Sequence, residues 1–202
     1  ILTQTHMDFD TRLLAVRFSG TRYIEGVWPG EGYFADIADD VRRSFAFRPD
    51  RMPDDSGIER LLRPGATPVA LHVRFFARPG SASAENAPID YYRRAVAEFR
   101  RRIAAPHFII FSDEPAAAAE ALALEPGSFS VASAPKDDPH GIVDHARMRR
   151  CHHFVTANST FSWWGAWIGE HPEKIVIAPS IETVPAANWN IKGFLPERWI
   201  RL

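Results

Sequence analysis

The chain has 202 residues, 46% of them hydrophobic, and a formal net charge of -1. A chain of that size and composition can bury one core or one and a part, and its near-zero charge gives no reason to expect a nucleic-acid partner. The lone Cys151 excludes an internal disulfide and suits a reducing compartment, and no apolar run is long enough to cross a membrane. Ile1 is no initiator, which leaves room for an upstream signal or anchor.

The opening part carries weak signals. Leu13 to Phe18 reads as a strand and Phe34 to Phe45 as a helix by apolar periodicity. A Pro- and Gly-bearing break at Arg63 to Pro68 divides this smaller part, residues 1–65, from a larger one, residues 66–202. There the sequence predicts a strand from Val69 to Phe76, a loop to Pro88, a helix to Ile103 and a strand His107 to Ser112. A helix Pro115 to Leu124 follows, then a strand Phe129 to Ala132 and a helix Gly141 to Arg150. The last elements are a strand His152 to Ala157, a helix Thr160 to Glu170 and a strand Lys174 to Ala178. This alternation implies an α/β fold, a Rossmann-like parallel sheet with helices on both faces. The run Arg100 to Arg102 sits opposite the apolar stripe Tyr92, Val96, Phe99 and Ile103, so it reads as a solvated face.

Three places in this order carry chemistry. In the strand LHVRFFA, alternation puts His72 and Arg74 on one face and Val73 and Phe75 on the other. An arginine in so apolar a strand needs an anionic partner, and a carboxylate and a ligand phosphate suit its fork equally. Asp113, at the carboxyl end of His107 to Ser112, reads either as a cap for the next helix or as a carboxylate matched to the two N–H donors of guanine. Cys151, His152 and His153 resemble metal ligands, but alternation sends His152 away from the other two and no paired motif completes a set.

The third place is Cys151 to Trp167, CHHFVTANSTFSWWGAW: an apolar strand, a polar switch and a helix apolar nearly all round. Asn158, Ser159, Thr160 and Ser162 stand where that helix begins. They read as simple caps, or as an anion site in which outward N–H groups and the helix dipole hold a phosphate. No GxGxxG, Walker loop or GxSxG elbow occurs, so dehydrogenase, P-loop kinase and serine hydrolase readings lack their diagnostic elements.

NSTFSWWGAW resembles the C-terminal signature of the α-1,2-fucosyltransferases, glycosyltransferase family eleven. Asp144, Met148 and Cys151 stand as in that family's approach to the motif, FIIFSDE resembles its second signature, and LHVRFFA half-matches a third, His-x-Arg-Arg-x-Asp. Tyr23, Gly26, Trp28, Tyr33, Phe34 and Arg42 are similar to the segment before the family's nucleotide domain. The family's glycine-rich opening has no counterpart, so the resemblance implies the later, GDP-sugar-binding half of a two-Rossmann, GT-B-like enzyme, with residues 1–65 as a remnant of the acceptor-side domain.

The implied activity is inverting transfer of fucose from GDP-fucose to a sugar hydroxyl, in α-1,2 linkage to a galactoside, with no metal or other cofactor. The resemblance implies that Arg74 contacts the donor's β-phosphate and that His72 lies by the nucleoside. It places Asp113, Asn158, Ser159, Thr160, Phe161 and Ser162 around the donor. Phe75 and Ala77 replace the third motif's second Arg and its Asp, and Arg78 is a candidate to reach back. Glu85, Asp90 and Glu114 lie near strand ends, but nothing singles out a general base. The implied partners are a GDP-sugar and a glycan acceptor, and the implied location is the cytoplasm or the membrane periphery. The competing expectation is a non-catalytic nucleotide-sugar-binding module, favoured by the broken third motif.

Overall fold

A computed structural model describes residues 1–17, 19–21, 23–48, 57–76, 85–133, 138, 141–169, 171–180, 182–184 and 192–202. The chain forms two compact units, Ile1–Ala46 with Asn190–Trp199 and Phe47–Trp189 with Ile200–Leu202.

In the first unit, β1 (Leu2–Thr3) pairs in parallel with β2 (Ile24–Glu25), and two 3-10 turns lead into α1 (Ala38–Ser44). The expected strand at Leu13 is instead a run of turns, Leu13 N–H to Asp10 O at 3.3 Å and Ala15 N–H to Arg12 O at 3.2 Å. The cause is local: the Asp10 carboxylate accepts the Arg12 N–H at 3.0 Å and its Nε–H at 2.9 Å, bending the chain before a strand can form.

The partition by contacts differs from a division at residue 65. Lys192 joins the first unit through its N–H to the Asp8 carboxylate and its carbonyl to Phe9 N–H, both at 2.9 Å. The short helix α2 (Ile58–Leu61) instead belongs with the second unit, where Ile58 is fully buried and Glu59 meets Arg150 at 2.6 Å.

The second unit holds a six-stranded parallel sheet. Its strands are β3 (Thr67–Val73), β4 (Pro106–Ser112), β5 (Phe129–Val131), β6 (His153–Val155), β7 (Val176–Ala178) and β8 (Ile200–Arg201), in spatial order β5-β4-β3-β6-β7-β8. Counted within the sheet this is the Rossmann order 3-2-1-4-5-6. The helices are α3 (Ile89–Arg102), α4 (Pro115–Leu122), α5 (Ile142–Arg149) and α6 (Thr160–Ile168).

α3 buries Tyr91, Tyr92, Ala95, Val96 and Phe99, a stripe at helical spacing. With Ala118 and Leu122 of α4 this stripe packs on Val69, Leu71, Val73, Phe108 and Ile110, one face of the sheet. Each large apolar side chain so buried contributes about 1.5–3 kcal/mol. The opposite face carries α6, whose Phe161 ring lies 5.3 Å from the His72 ring. α5 packs on α6, where a Cβ on Gly165 would meet Met148 Sδ at 2.5 Å and require that side chain to shift. The expected α/β sheet with helices on both faces is therefore present. Arg100–Arg102 lie on the solvent side of α3, where Glu98 pairs with Arg101 at 2.7 Å.

Candidate functional site

Strand order alone predicts where a ligand would sit. From β3 the chain steps outward to β4 and β5, then returns to the other side of β3 as β6, so the segments after β3 and β6 leave toward opposite faces of the sheet. Open α/β sheets hold ligands in the crevice this leaves beyond the carboxyl ends of the strands. A cleft of about 880 Å³ lies there. His72 and Arg74 come to it from the end of β3, Asp113 from the end of β4, and Asn158, Ser159, Thr160 and Phe161 from the start of α6. The sequence-derived residues thus converge, with two exceptions. Ser162 is buried and its hydroxyl is used internally, accepting Ala157 N–H at 3.2 Å and donating to Ser159 O at 3.3 Å. Arg78 lies outside the described residues.

Each group in the cleft has a definite environment. Arg74 Nη1 sits 3.1 Å from Asp113 Oδ2, so the arginine's anionic partner in this structure is a carboxylate. Asp113 Oδ1 also accepts Phe75 N–H at 3.1 Å and the Ser112 hydroxyl at 3.4 Å. Asp113 does not cap α4, whose N-cap position is Glu114 with no side-chain cap; the Glu114 N–H goes to Ser112 Oγ at 3.1 Å. At α6, Ser159 occupies the N-cap without a capping side-chain bond. The first-turn N–H groups of a helix have no intrahelical acceptor, and Ser159, Thr160 and Phe161 at this start line the cleft.

Asn158 is buried, and its Nδ2 donates to Glu85 O at 2.8 Å. Because a carbonyl can only accept, this contact fixes the amide orientation, leaving Oδ1 buried with no hydrogen-bond partner among the described residues. His72 Nδ1 is likewise buried without a partner among them. Each such orphan costs about 1–3 kcal/mol unless a ligand or water meets it.

Burial pushes the His72 imidazole down to about 3, with Arg74 and His145 adding to the effect; burial likewise takes His145 to about 4. Both are therefore neutral at pH 7, and His72 lines the cleft as a neutral group. On the other side of β6, burial with His171 and His152 nearby lowers His153 to about 4, and its Nδ1 accepts Ile175 N–H at 3.1 Å.

A histidine whose folded pKa is depressed stabilises fully above its unfolded value and loses that contribution as pH falls toward the folded one. Stability is expected to drop between pH 7 and pH 5 by roughly 2 kcal/mol for each fully buried imidazole. Urea midpoints at the two pH values check this, with His72→Asn flattening the profile. Equal midpoints would contradict neutral burial.

The structure adds groups that sequence reasoning left out of the site. Asp138, Asp144, Ser133 and Gly141 also line the cleft. Asp138 accepts Ile142 N–H at 3.0 Å and Val143 N–H at 2.7 Å, capping α5. Asp144 faces the cleft with its side chain 13% exposed and Arg147 Nη1 at 3.3 Å, while Arg147 also donates to Ser133 O at 2.9 Å. Burial raises the Asp144 carboxyl, opposed by Arg147 and reinforced by Asp138. Glu85, Asp90 and Glu114 are not among the lining residues. Among the described residues, no three His, Cys, Asp or Glu side chains come together to hold a metal. His152 instead stacks on His171 with ring centroids 4.0 Å apart, and among the described residues no helix is long and apolar enough to cross a membrane.

Fold and cleft together define an α/β domain with an open cleft at the switch point of its parallel sheet. The profile of Glycosyl transferase family 11 matches residues 5–200, so the chain belongs to that family. It is similar to the Escherichia coli O-antigen biosynthesis glycosyltransferase WbnK, with 28% identity over 60% of this chain and 41% of that protein. It is also similar to an Escherichia coli alpha-1,2-colitosyltransferase, with 37% identity over 30% of this chain and 20% of that protein. The chain spans less than half the length of these curated relatives. Among solved structures, E. coli ADP-heptose LPS heptosyltransferase II superposes at a TM-score of 0.46 with 13% identity over 73% of this chain and 42% of that one. The E. coli heptosyltransferase WaaC with ADP-2-deoxy-2-fluoro heptose superposes at 0.41 with 12% identity over 85% and 47%.

Proposed function

We propose that this chain carries the donor-binding half of an inverting glycosyltransferase that moves fucose from GDP-fucose to a sugar hydroxyl, in α-1,2 linkage to a galactoside, within bacterial polysaccharide biosynthesis. The observation that carries this reading is the convergence of Arg74 and the uncapped mouth of α6 on one cleft at the switch point. As the acceptor oxygen approaches the anomeric carbon, the bond to the diphosphate breaks and the sugar becomes oxocarbenium-like. Negative charge then grows on the β-phosphate, where a guanidinium and helix N–H groups stabilise it without a metal. Preorganised donors of this kind contribute about 3 kcal/mol each in comparable oxyanion sites.

Guanine presents two adjacent N–H donors and calls for a carboxylate with free lone pairs. Asp113 already takes three protein donors, and Asp138 spends its oxygens on α5. Asp144 takes one. The reading therefore assigns base recognition to Asp144, beside the neutral His72 and the Phe161 ring, in preference to the Asp113 expected from sequence.

Base and phosphate contacts are common to every GDP-sugar. GDP-mannose and a GDP-linked colitose, the sugar in one relative's name, compete for the same site.

The test is calorimetric titration of the purified chain with GDP, using UDP and ADP as controls. Selective GDP binding is expected; equal or absent binding of all three would remove the donor site. A second reading, a non-catalytic nucleotide-sugar-binding module, draws on Phe75, which packs against the core where the family motif has an arginine. Tight GDP-fucose binding with no turnover toward any galactoside acceptor would favour it.

A further inference from the structure

Arg74 is the arginine that lines the cleft among the described residues. An arginine at a strand end, with its side chain 43% exposed, has many rotamers open to it and binds a phosphate well only if something holds its fork in place.

The surroundings supply that hold from both sides. The parallel register sets Val73 beside Ser112, so the next residues, Arg74 and Asp113, emerge together from β3 and β4. Asp113 is itself pinned: its Oδ1 accepts Phe75 N–H at 3.1 Å and its Oδ2 meets Arg74 Nη1 at 3.1 Å. On the other flank the guanidinium carbon lies 5.5 Å from the Phe76 ring centroid, and Phe76 N–H donates to Asn86 Oδ1 at 2.7 Å, fixing the backbone that carries the ring. Phe75 points the opposite way and packs against the core. The residue that departs from the family's double arginine thereby anchors the strand end that presents the single one.

We infer that Asp113 is a positioning residue, which presents Arg74 to the β-phosphate of a nucleoside diphosphate and does not read the base. This rests on the donor reading above. Two effects oppose each other. The carboxylate repels a diphosphate, and it also fixes the guanidinium that attracts it. The inference is that orientation wins, because Asp113 is half-shielded, its charge is matched by Arg74, and three protein donors hold it in one place.

The experiment is calorimetric titration of the unmodified chain, Asp113→Asn, Arg74→Ala and the double variant with GDP and with GMP. Asp113→Asn is expected to weaken GDP about tenfold while leaving GMP unchanged, and to cause no further loss once Arg74 is gone. A purely structural role would weaken GDP and GMP alike. Equal losses for the two nucleotides, additive losses in the double variant, or unchanged or tighter GDP binding would each overturn the inference while leaving the donor site standing. An unmodified chain that bound no GDP would overturn both. Should Asp113→Asn fail to fold, Asp113→Glu, which keeps the charge but displaces it, is expected to show the same GDP-selective loss.

Discussion

Replacing Arg74 by alanine is expected to weaken GDP binding roughly 10- to 150-fold, the equivalent of about 1.5–3 kcal/mol for a hydrogen-bonded charge. Turnover of a donor sugar, measured in whatever longer chain carries the acceptor side, is expected to fall further, by about 10² to 10³. The guanidinium is needed most as charge builds on the leaving phosphate. The fold is expected to tolerate the change. Arg74 is 43% exposed, and the Asp113 it leaves behind keeps Phe75 N–H and the Ser112 hydroxyl as donors. A melting shift equivalent to less than about 1 kcal/mol is expected. Unchanged GDP affinity at unchanged melting temperature would move the phosphate entirely onto the mouth of α6 and remove Arg74 from the mechanism.

The sheet was legible because its signals are local and strong. β3, β4 and β6 are apolar runs bounded by turn residues, and α3 has a single stripe from Tyr92 to Phe99. A parallel strand buried on both faces reads as a continuous apolar run, and these do. β8 was not legible: two residues, Ile200–Arg201, carry no periodicity, and only pairing with β7 makes them a strand. The turns at Leu13 were misread for a related reason. A short apolar run suggested a strand, but the Asp10 carboxylate competes with strand pairing by bonding Arg12 two residues on.

At the cleft, motif residues at strand ends were legible because strand alternation and the helix start fix their direction. That accounts for His72, Arg74 and the Asn158 to Phe161 mouth. What escaped was partnership. Whether Arg74 meets a carboxylate depends on β3 and β4 being neighbours in register, with residues 39 apart in sequence side by side, and no spacing rule encodes that. Asp144 was legible as a position in the family's approach to the NSTFSWWGAW motif but not as a cleft residue, because its place on α5 gives no local sign of which way it faces. Only the packing of α5 on α6 turns it toward the cleft.

Asp144→Asn should expose that difference most sharply. The substitution keeps size but trades one acceptor oxygen for an NH₂ donor, which meets guanine's own N–H groups donor to donor. A bidentate base contact is worth about 1–3 kcal/mol of discrimination, so preference for GDP over inosine diphosphate, which lacks the 2-amino group, is expected to fall roughly 5- to 150-fold. Affinity alone is the wrong readout. The change also breaks a largely buried ion pair, leaving Arg147 with Ser133 O, and a looser domain would bind both nucleotides less well. The ratio isolates the base. Protonation acts in the same direction: burial raises the Asp144 carboxyl, so acid converts an acceptor into a donor there, and GDP preference should decline as pH falls. If the ratio holds in Asp144→Asn and collapses in Asp113→Asn, the base is read at the end of β4 after all, and the pairing of Asp113 with Arg74 must open on binding.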